Sequence, residues 1–318
     1  MESKHPLKKE QGDLLLTFLL SLNADGGSDA TAETENDNDH HSPNSTTNLL
    51  RVGIAGPPGA GKSTLTEAFG MHLLNQDPDL KMAVVCIDPS SNVSGGSILG
   101  DKTRMTELSR HERALIRPSS TAGVLGGLAA YTDDVVRLLG CAGYPLVLVE
   151  TVGLGQSEIE VSESVDVLVL AVPPSGGDEL QGVKKGIVEM ANILVVTKAD
   201  GDLEAAANRT ASDYSGALRV LQQISSHVAQ GSEDSKKLWK PPVLLTSAVT
   251  LRGLDELWGA IQDYKNFLLE TDTLTKKRHR QAKYWMWKQF TRMMQARMQQ
   301  DPDLATMAKE LESQLLNG

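Results

Sequence analysis

Cysteine is scarce. Only Cys86 and Cys141 occur in 318 residues, far apart and each in apolar surroundings. That excludes a disulfide framework and a cysteine-ligated metal site, and reads as buried thiols in a reducing compartment. Long apolar runs are absent too. None approaches the roughly 18 residues of a spanning helix. No arginine precedes Arg51, and Lys4, Lys8 and Lys9 are offset by Glu2, Glu10 and Asp13. This argues against an import presequence. Asp13–Leu20 is apolar, but no small-residue cleavage pattern follows it. It reads as an amphipathic helix within residues 1–23. Positive charge is the scarcer sign, 31 Lys and Arg against 41 Asp and Glu, a net charge of −10. Broad nucleic-acid binding is disfavoured. Residues 24–48 lack Lys and Arg entirely while carrying Asp25, Asp29, Glu33, Glu35, Asp37 and Asp39. Such a stretch cannot bury enough apolar surface to offset ordering entropy, which predicts a disordered acidic linker. Asp39-His40-His41 within it reads as solvated rather than as a metal site.

From residue 50 the composition changes. Apolar runs recur at Leu50–Ala55, Lys81–Ile87, Arg113–Arg117, Pro145–Val149, Asp166–Val172, Asn192–Val196 and Val243–Leu245. They are apolar without alternation, as strands covered on both faces are. Helical patterns lie between them, including Ser63–Asn75 with Leu65, Phe69 and Leu73 in phase, and Gly126–Cys141 with Val135, Leu138 and Leu139. The expectation is an α/β fold, a doubly wound and mainly parallel sheet with helices on both faces. Ligands in such sheets sit at the C-terminal strand ends, where Asp88, Glu150 and Thr197 fall.

Between the first strand and the first helix stands Gly56-Pro57-Pro58-Gly59-Ala60-Gly61-Lys62-Ser63-Thr64, a G-x-x-x-x-G-K-[ST] phosphate loop. Its glycines let backbone N–H groups crowd around phosphate oxygens, and the helix N-terminus adds partial positive charge. Lys62 would reach the β/γ-phosphates and the Ser63 hydroxyl would bind Mg²⁺. The bland alternative is a glycine-rich turn, which the strand–loop–helix setting argues against. Glu150-Thr151-Val152-Gly153 puts an acid at a strand tip and a glycine three residues on. Glu150 would hold the metal directly or through water, and the Gly153 N–H would meet the γ-phosphate.

Asp88-Pro89-Ser90-Ser91 leads into the glycine-rich stretch Gly95–Met105, which contains Asp101-Lys102-Thr103-Arg104. It offers an acid for metal and cations for phosphate, as a nucleotide-sensing switch needs. A surface loop with a helix cap at Asp101 is the alternative. Thr197-Lys198-Ala199-Asp200 resembles the [NT]-K-x-D guanine motif, and Ser247-Ala248 its companion. Asp200 would accept from guanine N1–H and the 2-amino group, which adenine cannot supply. Ser175–Lys185, with Asp178, Glu179, Gln181, Lys184 and Lys185, is from its residues alone equally a capped helix start or a mobile loop.

Taken together, G-P-P-G-A-G-K-S-T, D-P-S-S, S-G-G-S-I-L-G-D-K-T-R-M, R-P-S, E-T-V-G, G-G-D-E-L-Q-G and T-K-A-D-G-D-L resemble the methylmalonyl-CoA mutase-associated GTPases. This is the MeaB/ArgK group, which includes the cobalamin A type methylmalonic aciduria proteins, in the SIMIBI class of P-loop GTPases. The resemblance runs over about residues 50–290. It implies a GTPase that acts as a chaperone for adenosylcobalamin-dependent methylmalonyl-CoA mutase, gating cofactor loading and protecting the enzyme from inactivation. It assigns Lys62, Asp88, Asp101 and Glu150 to catalysis, and Ser63, Asp88, Asp101 and Glu150 to Mg²⁺. Gly56 to Thr64, Gly153, Thr197, Lys198, Asp200, Ser247 and Ala248 would hold GTP or GDP. Asp178, Glu179, Gln181, Lys184 and Lys185 match a switch that relays nucleotide state to the mutase.

The resemblance further implies a P-loop GTPase domain over 49–272 and a helical extension over 273–318 that serves as a homodimer arm. The extension is basic from Thr275 to Gln299, with Trp287, Phe290, Met294 and Met298 in one stripe. The implied compartment is the mitochondrial matrix in a eukaryote and otherwise the cytoplasm, with neither a membrane nor a nucleic acid as partner. Two alternatives share the fold: a metallochaperone GTPase delivering nickel or cobalt, and a P-loop small-molecule kinase. The first predicts clustered Cys and His near the switches; the second needs a hydroxyl or guanidine acceptor pocket.

Overall fold

The apolar runs become strands β1 (Leu50–Ala55), β2 (Met82–Asp88), β3 (Ala114–Ser120), β4 (Leu146–Glu150), β5 (Val167–Val172), β6 (Ile193–Val196) and β7 (Val243–Leu245) of a computed structural model. The structure describes residues 49–88, 105–120, 132–151, 160–174, 185–229 and 238–317. The expected N-terminal helix and acidic linker lie outside this set. The strands form one sheet in the order β3-β2-β4-β1-β5-β6-β7. Every pairing in it is parallel. Burial explains the unbroken apolar runs, since every residue of β1, β4, β5 and β6 is buried.

The helices are α1 (Lys62–Gln76), α2 (Thr132–Cys141), α3 (Lys185–Met190), α4 (Glu204–Ala229), α5 (Leu254–Glu270), α6 (Thr273–Gln300) and α7 (Pro302–Asn317). One core joins Val52, Ile54, Leu148 and Val169 of the sheet to Leu65 and Phe69 of α1 and Leu257 and Ile261 of α5. A second joins Leu170, Val172, Leu194 and Val196 to Ile187 and Val188 of α3 and Ala207, Tyr214 and Leu218 of α4. Fully buried side chains such as Phe69 and Leu65 each contribute about 1.5–3 kcal/mol. Of the expected helix Gly126–Cys141, Thr132–Cys141 is described and helical. Chain reversal falls at β1, since β2 and β3 lie to one side of it and β5 to β7 to the other. The ligand crevice of such a sheet opens there, above the C-terminal strand ends.

The chain divides into two compact units, Met1–Leu274 and Thr275–Gly318. The second holds nearly all of α6, and α7. Asp301 starts α7: its Oδ1 accepts the Asp303 and Leu304 N–H groups at 3.0 and 3.2 Å, with Pro302 at the first helical position. On α6, Trp287, Phe290, Met294 and Met298 are about half exposed, at 55, 52, 48 and 52 %.

One residue of β1 departs from the apolar rule. Arg51 is buried, and its guanidinium meets Asp166, at the entrance to β5, at 2.7 Å (Nη2 to Oδ1) and 3.3 Å (Nε to Oδ2). Asp133 in the first turn of α2 lies 3.8 Å from Arg51 Nη1 and accepts from Arg137 Nε at 2.8 Å. Burial alone would pull the guanidinium pKa down. The Asp166 charge and hydrogen bond, with Asp133 behind them, outweigh it and leave it raised. The cluster ties β1, β5 and α2 beneath the crevice. Removing one partner leaves an uncompensated buried charge, so Asp166→Asn lowers unfolding free energy in urea by about 3 kcal/mol. The double substitution Arg51→Met/Asp166→Leu recovers more than half of that loss. A single-variant loss under about 1 kcal/mol would contradict this account.

Candidate functional site

The loop from β1 to α1 crosses the top of the sheet at the reversal point. Two glycines make the path possible. Gly56 has φ +147°, and a Cβ on it would stand 2.0 Å from the Ala171 carbonyl oxygen on β5. Gly61, at φ +81°, opens α1 in the left-handed region. The loop's own lysine folds over it: Lys62 Nζ donates to the Gly56 and Pro57 carbonyls at 2.8 and 2.9 Å, and the residue is only 7 % exposed. Thr64 is exposed on the first turn of α1.

The acid at the tip of β4 faces this loop. Glu150 pairs with Ile54 of β1 on one side and Cys86 of β2 on the other. Ser63 Oγ donates to Glu150 Oε1 at 2.5 Å. Asp88 ends β2, two residues beyond Cys86 in the same register. A hydroxyl and a carboxylate converging at a strand tip form a hard-oxygen donor set, which fits Mg²⁺ rather than a soft metal.

The base-side elements approach from β6 and β7. Thr197 is buried, and its Oγ1 reaches the Ala60 carbonyl at 2.6 Å and the Val172 carbonyl at 3.2 Å. Lys198 adopts φ +53°, uncommon for a side-chain-bearing residue, and its Nζ donates to the Gly59 carbonyl at 2.9 Å. The Ser247 hydroxyl makes a short hydrogen bond to Asp200 Oδ2 and accepts the Val249 and Thr250 N–H groups at 3.2 and 3.0 Å. Ala199 N–H donates to the Thr246 carbonyl at 2.9 Å, and Arg252 Nη1 to Glu204 Oε1 at 2.5 Å. The loops after β6 and β7 are thus fastened together, with Ala248 half-buried beside Ser247.

The structure therefore brings Gly56 to Ser63, Glu150, Thr197, Lys198, Asp200 and Ser247 to one edge of the sheet. Asp101, Gly153, Asp178, Glu179, Gln181 and Lys184 lie outside the described residues. Lys185 is the first residue of α3. The sequence reading overlooked what Thr197 and Lys198 do to the phosphate loop. The available signal was the threonine itself, a hydroxyl donor at a position more often read as asparagine.

Comparison with known proteins places this geometry. Residues 37–303 match the model of a family described as methylmalonyl Co-A mutase-associated GTPase MeaB. The chain belongs to that family. It is a GTPase, and the guanine nucleotide is the ligand class of its fold. Over 318 residues it is 40 % identical to the methylmalonic aciduria type A homolog, mitochondrial, of Mus musculus, covering all of this chain and 70 % of that one. It is 45 % identical to the GTPase ArgK of Escherichia coli over 242 residues, 76 % of this chain and 69 % of that one. A solved structure named LAO/AO transport system kinase superposes with a TM-score of 0.68 at 30 % identity, over 99 % of this chain and 84 % of that one. The P-loop GTPase fold expected from the strand pattern is the fold observed, with a helical C-terminal part.

Gly56→Ala tests the loop. The added Cβ is opposed by backbone on both sides, at a φ that L residues rarely adopt, so β1 and β5 must separate. Guanine-nucleotide binding, followed by fluorescence titration, falls at least 100-fold and the melting temperature drops. Near-normal binding would contradict the geometry.

Proposed function

We propose that this chain hydrolyses GTP to GDP and phosphate as a nucleotide-state signal to adenosylcobalamin-dependent methylmalonyl-CoA mutase, gating cofactor loading and protecting the mutase. The observation that carries this reading is the match of residues 37–303 to a mutase-associated GTPase family. The convergence of Lys62, Ser63, Glu150, Thr197, Lys198 and Asp200 on one sheet edge supports it.

In this reading the Lys62 ammonium exchanges the Gly56 and Pro57 carbonyls for β- and γ-phosphate oxygens. The exchange keeps a buried cation hydrogen-bonded in both states. Loop N–H groups from Gly59 to Thr64 cradle the phosphates at the α1 N-terminus. Ser63, Glu150, Asp88 and Asp101 hold Mg²⁺, which when bound neutralises charge on the phosphate oxygens. The Gly153 N–H meets the γ-phosphate. Asp200 accepts from guanine N1–H and the 2-amino group while Ser247 fixes its other oxygen. The Lys198 stem lies along the base, and the backbone at Ala248 meets the guanine oxygen. Hydrolysis is slow until the partner completes the site. Asp178, Glu179, Gln181, Lys184 and Lys185 carry the nucleotide state to that partner. The chain works as a homodimer through the Trp287, Phe290, Met294 and Met298 stripe of α6. Its compartment is the mitochondrial matrix in a eukaryotic source, following the name of the mouse relative, and the cytoplasm in a bacterial one.

Capture of adenosylcobalamin-dependent methylmalonyl-CoA mutase by the immobilised full chain is expected to differ between GDP and a non-hydrolysable GTP analogue. Equal capture in both states, or none, would remove the chaperone role. Lys62→Ala is expected to abolish nucleotide binding in a direct titration, and undiminished GTP affinity would refute the site. Trp287→Glu/Met294→Glu is expected to halve the mass measured by light scattering. A wild type that is already monomeric would refute the arm.

A further inference from the structure

The motif that reads as guanine recognition has a second set of partners. Two consecutive residues after β6 place their side chains on two consecutive carbonyls of the phosphate loop: Thr197 Oγ1 on Ala60 at 2.6 Å, and Lys198 Nζ on Gly59 at 2.9 Å. The packing over the loop is close. A Cβ on Gly61 would lie 3.5 Å from Lys198 Cε and 4.0 Å from Thr197 Oγ1. β6 is not a sheet neighbour of β1, being separated from it by β5, so this tie is not part of the strand ladder.

The tie has a directional consequence. A trans peptide points its carbonyl and the following N–H to opposite sides. Holding the Ala60 carbonyl against Thr197 therefore turns the Gly61 N–H away from β6, toward the space in front of the α1 N-terminus. Holding the Gly59 carbonyl does the same for the Ala60 N–H, which meanwhile donates to the Pro57 carbonyl at 3.2 Å. The buried member of the tie is Thr197, 4 % exposed, whereas the Lys198 contact is exposed. Water competes poorly for the first bond and freely for the second. The Val172 carbonyl at 3.2 Å is the alternative acceptor for the one Thr197 proton.

We propose that Thr197 is a positioning residue for phosphate recognition: its hydroxyl sets the orientation of the Ala60–Gly61 peptide, so the base-side strand fixes the phosphate loop. The inference rests on the nucleotide reading above and deepens it. Its distinguishing feature is that the loss on removing the hydroxyl scales with phosphates bound by the loop, not with the base.

Thr197→Val keeps the shape and removes the hydroxyl, and Thr197→Ser restores it. Displacement of fluorescent GDP by GDP, GMP and tripolyphosphate, each with Mg²⁺, separates the roles. Thr197→Val is expected to weaken GDP and tripolyphosphate about tenfold while leaving GMP within about twofold, and Thr197→Ser to recover most of the loss. GDP and GMP weakened together with tripolyphosphate unchanged would make Thr197 a base contact and overturn the proposal. An equal loss on all three, unrelieved by serine, would make it a general packing residue and overturn it equally. A wild type that fails to bind fluorescent GDP would overturn the nucleotide reading itself and this inference with it.

Discussion

Carbonyl orientation in the loop from Gly56 to Ala60 is the constraint on which the site depends. The Gly56 and Pro57 carbonyls are held by Lys62, that of Gly59 by Lys198 and that of Ala60 by Thr197. A loop offers its N–H groups to an anion only if its carbonyls are turned elsewhere, because each peptide carries both in opposed directions. Side chains from α1 and from beyond β6 do that turning. The parallel sheet, with β1 at its reversal point, brings those elements close enough to do it.

Beneath the loop the same strand is anchored in another way. Arg51 lies one residue into β1 and pairs with Asp166 at the entrance to β5, so the strand carrying the phosphate loop is fixed to its neighbour by charge as well as by the ladder. The Cβ position of Gly56 is filled by the Ala171 carbonyl of that same neighbour. β1 and β5 therefore meet as closely above the core as they do within it. Buried charge at one end and glycine at the other are the two departures from an apolar strand, and each has a partner on β5.

Much of the architecture was legible in the sequence. Unbroken apolar runs of four to seven residues arise where strands are covered on both faces, and the runs at Leu50–Ala55 and Asn192–Val196 returned as buried strands. The loop was legible because glycine and lysine at fixed spacing serve a local requirement. Arg51 was not, because its partners stand 115 and 82 residues further on, and nothing nearby marks it as buried. Thr197 was legible as a motif position but not in its contact with Ala60, 137 residues away.

What the sequence determined by itself follows from local and compositional physics. The phosphate loop, the strand–helix alternation, the family and the base-side motif all rest on residue type at short spacing, where backbone geometry alone sets the meaning. What only the tertiary structure decided concerns direction. It set which carbonyls Lys62, Thr197 and Lys198 take, that Ser63 meets Glu150, that Ser247 holds one oxygen of Asp200, and that one face of α6 stands open. These depend on how strands distant in the chain come into register. A hydrogen bond has a length and an angle but no memory of sequence separation, so only the folded register can assign its partner.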